Sequence, residues 1–75
     1  MQEVRINLNR EFVELHALLK LAGACDSGGA GKALVASGAV CVDGKTETRK
    51  SCKIRAGQSV QIGDLIIRVE LPPMD

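Results

Sequence analysis

Val40-Cys41-Val42-Asp43-Gly44-Lys45-Thr46-Glu47-Thr48 is the stretch that decides the fold. Alternating residues flank Asp-Gly, the strongest short-range signal for a two-residue hairpin, because a type I′ turn needs positive φ at both central positions. Working outward, Ala56-Gly57 marks a second turn before Ser59-Val60-Gln61-Ile62. Gly63-Asp64 marks a third before Leu65-Ile66-Ile67-Arg68-Val69-Glu70-Leu71, and Pro72-Pro73 ends the regular structure.

Upstream of the hairpin the period changes. Glu3 to Asn9 alternates with period two, as a half-buried strand does. Phe12, Leu15, Leu18, Leu19 and Ala22 then fall at helical spacing, with Glu11 and Glu14 near the N-terminal end, where the helix dipole favours acids. Gly23 stops this first helix. Asp26 or Ser27 caps a second, in which Ala30, Ala33 and Leu34 follow at helical spacing and which Gly38 ends. Gly28, Gly29 and Gly31 weaken its start, each costing about 0.8–1.0 kcal/mol relative to Ala in a helix interior. The order predicts an α+β domain: two helices packed on one small, mostly antiparallel sheet of four to five short strands. Pairing between the first and last strands is left open by the sequence.

Seventy-five residues make a single domain, expected over 1–75, with a thin core built from Leu, Val, Ile and Ala, since the chain holds one Phe and neither Tyr nor Trp. A binding surface fits such a scaffold better than a deep substrate pocket. The 45% hydrophobic and 25% charged fractions are those of an ordinary globular protein. No apolar stretch approaches the roughly 20 residues that span a bilayer, and the N-terminus lacks the pattern of a signal peptide, so a cytoplasmic location is expected. Cys25, Cys41 and Cys52 are odd in number and widely spaced, which points to free thiols rather than a disulfide framework or a zinc site.

The net charge of +1 is unevenly placed. Residues 1–15 carry −1, residues 16–44 are neutral and residues 56–75 carry −2. Residues 45–55 carry +4, from Lys45, Arg49, Lys50, Lys53 and Arg55 against Glu47, and are expected to form a basic hairpin running from Lys45 to Arg55. A local field of this kind steers an anionic partner. The same cations also suit an edge strand protected from pairing, and charge alone does not choose between the two. Aromatic side chains for stacking single-stranded bases are nearly absent, so any RNA contact rests on phosphates and shape.

Two other motifs carry less. Gly28-Gly29-Ala30-Gly31-Lys32 resembles a phosphate loop, but Asp26 stands where the first glycine belongs and Ala33 where Ser or Thr does. The segment reads better as a flexible helix start, and a helix N-terminus with Lys32 nearby could still meet a backbone phosphate. His16, the single histidine, lies four residues before Lys20 on a solvated or boundary face, and no nucleophile–base–orienter set accompanies it. No catalytic residue, metal ligand set or cofactor is expected.

Residues 13 to about 62 resemble the S-four-type RNA-binding domain, named after the fourth protein of the small ribosomal subunit and built on the alpha-L motif. The residues that carry the resemblance are Leu15, Leu19, Gly23, Ser27, Leu34, Val35, Gly38, Val40, Val42, Asp43, Gly44, Gly57, Val60 and Ile62. The wording Glu-Thr-Arg-Lys-x-Cys-Lys-Ile is similar to that of small stand-alone bacterial members. The resemblance implies a non-catalytic binder of structured RNA, such as ribosomal or transfer RNA, associated with the ribosome and translation and acting as a monomer. It places the contacts on Lys20, Ser27, Lys32, Lys45, Arg49, Lys50, Lys53 and Arg55. Two positions depart from the family pattern: Glu14-Leu15-His16 replaces Arg-Leu-Asp, and Gly28 replaces the arginine after the capping serine. These losses shift the expected surface toward residues 45–55. They also motivate a second reading, a ribosome-associated protein-interaction module that has lost RNA binding.

Overall fold

A computed structural model describes residues 2–73; Met1, Met74 and Asp75 of the expected 1–75 domain lie outside the described residues. The elements run β1 (Gln2–Asn7), β2 (Val13–Glu14), α1 (Leu15–Leu21), α2 (Gly28–Ala36), β3 (Val40–Val42), β4 (Lys45–Thr46), β5 (Lys53–Ile54), β6 (Ser59–Ile62) and β7 (Leu65–Glu70). Five strands form one mixed sheet in the order β1-β7-β6-β3-β4, and β2 pairs with β5 in a second, two-stranded sheet.

The hairpin that organises the sequence is present. Asp43 and Gly44 adopt φ of 51° and 85°, the positive pair that a type I′ turn requires. Cys41 faces Thr46 and Val42 faces Lys45 across it. On its other side β3 runs antiparallel to β6, and β6 to β7. The first strand joins the last: β1 lies parallel to β7, with Val4 beside Ile67 and Ile6 beside Val69. This register sets Arg5 opposite Arg68. The carboxylate of Glu3 separates them, accepting from Arg68 Nε at 2.7 Å and Arg5 Nε at 3.4 Å.

The core is aliphatic throughout. Leu15, Leu18 and Leu19 of α1, Val35 of α2 and Val40, Ile54, Val60, Ile67 and Val69 of the strands are fully buried, with Leu8 and Val13 beside them. Each such side chain contributes about 1.5–3 kcal/mol by leaving water, which is how so short a chain holds together without large aromatics.

Three expectations need correction. Phe12 is not in the first helix. The apolar residue next to it, Val13, pairs with Ile54 and turns inward, so residues 13–14 form a strand and α1 starts only at Leu15. The spacing of Phe12 and Leu15 therefore mimics a helical repeat across a strand–helix junction. Secondly, Ala33 faces solvent; the inward side of α2 is Gly31 and Val35, one turn apart, with Leu34 half-buried. Thirdly, Lys45–Arg55 is not one hairpin. Its first two residues are β4, residues 47–52 are a loop, and Lys53 begins a strand of the other sheet.

Gly31 is explained by packing rather than by phosphate. A Cβ there would stand 2.7 Å from the carbonyl oxygen of His16 and 3.4 Å from Cys25 Sγ, so only glycine lets α2 approach α1 this closely.

Candidate nucleic-acid interface

The loop between β4 and β5 is fastened to the start of α1. Glu14, the N-cap of α1, makes no side-chain capping bond. Instead the N–H of Leu15 donates to the Cys52 carbonyl at 2.9 Å and that of His16 to the Lys50 carbonyl at 3.1 Å. The loop thus satisfies two of the orphan donors that begin every helix. The His16 ring adds a second bond to the same Lys50 oxygen, at 2.8 Å from Nδ1. A carbonyl can only accept, so Nδ1 carries the hydrogen. A side chain that reads in sequence as a boundary residue is a clasp. Its partner lies 34 positions away, a separation no local pattern reveals.

This clasp brings Arg49, Lys50 and Lys53 to the N-terminal end of α1. Lys50 is exposed and forms no ion pair among the described residues; the same holds for Lys20, Lys32 and Lys45. Lys20 lies in the last turn of α1 and Lys32 in α2, two helices packed directly on each other. Lys45 occupies β4, the far edge of the main sheet from β1. Ser27 caps α2 as expected, its Oγ accepting from the Ala30 N–H at 3.1 Å.

The other cations are engaged. Arg49 Nε lies 3.2 Å from Glu47 Oε2, its second nitrogen contacts Glu47 Oε1 at 3.3 Å, and its own backbone N–H donates to the same carboxylate at 3.0 Å. The Arg49 side chain and backbone N–H hold the Glu47 carboxyl down at about 2. In turn burial, together with the Glu47 carboxylate, pushes the Cys52 thiol up, so it stays protonated. Arg55 reaches Glu11 at 3.3 Å, and Lys53 stands opposite Glu14 in the β2–β5 pair with its ammonium 4.9 Å from the centre of the Phe12 ring. Arg49 and Arg55 therefore each have an acidic partner. Exposed pairs of this kind add little to stability and exchange readily for another anion. The Glu47-x-Arg49 spacing was the one sequence signal for such pairing; nothing local announces Glu11 with Arg55.

At the hairpin itself Asp43 accepts from the Ser59 N–H at 2.9 Å and from Gln58 Nε2 at 3.1 Å. Those two donors hold its carboxyl below the usual carboxylate range. The turn is thereby tied to the start of β6, and β4 is presented in a fixed direction. Cys25, Cys41 and Cys52 are free, half-buried thiols, and no described helix is long and apolar enough to cross a membrane.

A helix pair set on a small mixed sheet, with a cationic loop clasped across the start of the first helix, defines the class. The chain belongs to the S4 domain family, whose sequence model matches residues 6–70. Among its relatives, YbcJ of Escherichia coli (strain K12) is 51% identical over 57 residues, which cover 76% of this chain and 81% of YbcJ. YbcJ of Shigella flexneri matches to the same extent. The solution structure of E. coli YbcJ aligns with a TM-score of 0.64 at 41% identity, over 93% of this chain and 87% of that one. That structure is described as revealing an alfa-L motif involved in RNA-binding. The two helices and five-stranded mixed sheet found here match it.

Proposed function

We propose that this protein is a non-catalytic, cytoplasmic RNA-binding domain that recognises structured RNA, ribosomal or transfer RNA, as a monomer associated with the ribosome. The observation that carries the proposal is the clasp between His16 and Lys50, which fixes a loop of cations against α1. Lys20, Lys32, Lys45 and Lys50 offer charge that no described carboxylate neutralises. Arg49, Lys53 and Arg55 join them by exchanging Glu47, the Phe12 face and Glu11 for phosphates. Ser27 holds the start of α2 in position. Phosphate contacts on a shaped surface suit structured RNA. Membership of the S4 domain family and the similarity to YbcJ support the reading.

The test is electrostatic. With about four phosphates of a looped RNA neutralised, log K falls with log salt at a slope near −3. Replacing Arg49 and Lys50 together with alanine flattens that slope, and an RNA affinity unchanged in the double variant overturns the proposal.

One observation favours a second reading. Glu14 and Gly28 occupy positions where the family pattern has arginine, and Glu14 stands opposite Lys53 in the register of β2 and β5. A protein-interaction module without RNA affinity follows from that loss. It predicts no mobility shift with total cellular RNA at low salt, even at about 10–100 μM protein, where nonspecific phosphate binding registers.

A further inference from the structure

Beside the clasp, α1 and the chain before it border an open groove of about 630 Å³. Val13, Ala17 and Leu21 supply its apolar floor, and Arg10, His16 and Lys20 its rim. Leu21 is 62% exposed, one of two large hydrophobic side chains among the described residues left so far in water. Arg10 and Lys20 form no ion pair among the described residues, and no carboxylate lines the groove. The neighbouring groove, which shares Arg10, Val13 and Ala17, is lined by Glu11 and Glu14 as well. The first is thus the one of the two that suits an anion with an apolar body.

We infer that this groove is a subsite for a single unpaired nucleotide, extruded from an otherwise paired RNA, with its phosphate on Arg10 and Lys20 and its base on the Leu21 floor. The inference rests on the RNA-binding reading above. The volume lies in the range of ligand-sized sites. A nucleotide has the required two ends, an anionic phosphate and a flat base whose face is poorly hydrated. A base inside a helix is covered on both faces by its neighbours, so only an extruded one presents that face to Leu21. His16 supplies the third element. Its Nδ1 is committed to the Lys50 carbonyl. That leaves Nε2, an acceptor in the neutral ring, for an amino or imino group on the base edge. The same ring that fastens the cationic loop thereby borders the groove, and the two surfaces are continuous through His16.

The experiment compares RNA duplexes carrying a one-nucleotide bulge of each of the four bases with their fully paired parent duplex, using the full chain. The wild-type protein binds at least one bulged duplex more tightly than the parent, by about fivefold, the size expected when a base covers part of the exposed Leu21 side chain. Leu21→Ser and Arg10→Ala each reduce that ratio toward one. The bulged duplex perturbs the methyl resonances of Ala17 and Leu21, and the paired parent leaves them in place. Leu21 and Arg10 are both exposed, so the two variants fold, which their amide spectra verify. A wild-type ratio near one with tight binding to both RNAs overturns the groove and leaves the phosphate reading standing. A preference that survives both substitutions also overturns it. Failure of every duplex to bind overturns the groove and the RNA-binding reading together.

Discussion

Gly31 in α2 lies so close to His16 in α1 that a methyl group on it would stand 2.7 Å from the His16 carbonyl oxygen. The helix crossing, and with it the placement of the His16 ring on the cationic loop, depends on the absence of one carbon atom.

Gly31→Ala is therefore expected to destabilise the fold by about 1–3 kcal/mol, as other overpacked sites do. Gly29→Ala is the contrast. It meets nothing nearer than Ser27 Oγ at 3.9 Å and lies in the same helix, so it should stabilise by about 0.4–1 kcal/mol. Thermal unfolding of the two variants should move the midpoint in opposite directions.

Glu47 predicts acid sensitivity of a defined kind. Its carboxyl sits at about 2 against an ordinary 4.5 because Arg49 holds it ionised. A lowered folded-state value means that its contribution is fully present above pH 4.5 and is lost as the pH falls toward 2. Glu47→Gln should flatten the stability profile across that window and change nothing in its shape between pH 6 and 8. Denaturant unfolding at a series of pH values measures this.

The same substitution should act in the opposite sense on RNA. Glu47→Gln removes a negative charge and releases the Arg49 guanidinium from its partner, so affinity for structured RNA should rise and the salt dependence steepen. Titration at two salt concentrations checks both. An affinity that falls would mean that Arg49 is positioned by Glu47 rather than withheld by it.

Asp43 should tolerate Asn better than Ala. At φ 51° it occupies a conformation that Asn adopts readily and Ala does not. Its carboxylate also accepts the Ser59 N–H and the Gln58 amide. Asp43→Ala should cost about 1–3 kcal/mol through the lost acceptor alone. Asp43→Asn keeps an acceptor oxygen and should cost less. Denaturant midpoints of the two variants decide it.

Much of the fold was legible because its signals are local. Asp43-Gly44 announces its hairpin, Ser27 its cap, and Gly23 and Gly38 the ends of the two helices, all within a few residues of where they act. The α+β class and a sheet of four to five strands follow from such local signals, while the pairing of the first strand with the last was left open. What the sequence concealed depends on long separations. The pairing of Val13–Glu14 with Lys53–Ile54 is invisible in either dipeptide, and it turned an apparent early start of α1 into a strand. The candidate interface was legible as charge between Lys45 and Arg55, but not as shape. Counting charges could not show that Arg55 would meet Glu11, 44 positions away, nor that His16 would fasten the loop. Gly31 was read as one of three glycines that loosen the start of α2, because the close approach of His16 that requires it lies outside any local pattern.

The parallel pairing of β1 with β7 has a consequence for how the chain assembles. Among the described residues β1 has no other strand neighbour, so it waits unpaired until β7, the last strand of this sheet in chain order, exists. Contacts between partners so distant in sequence are slow to form, because loop-closure entropy must be overcome before they are rewarded. Folding of this sheet should therefore finish late, with β1 docking onto a nucleus already built from α1, α2 and the central strands. Until then Val4 and Ile6 stand in water, flanked by Glu3 and Arg5, whose charges discourage a stray partner from adding to that edge.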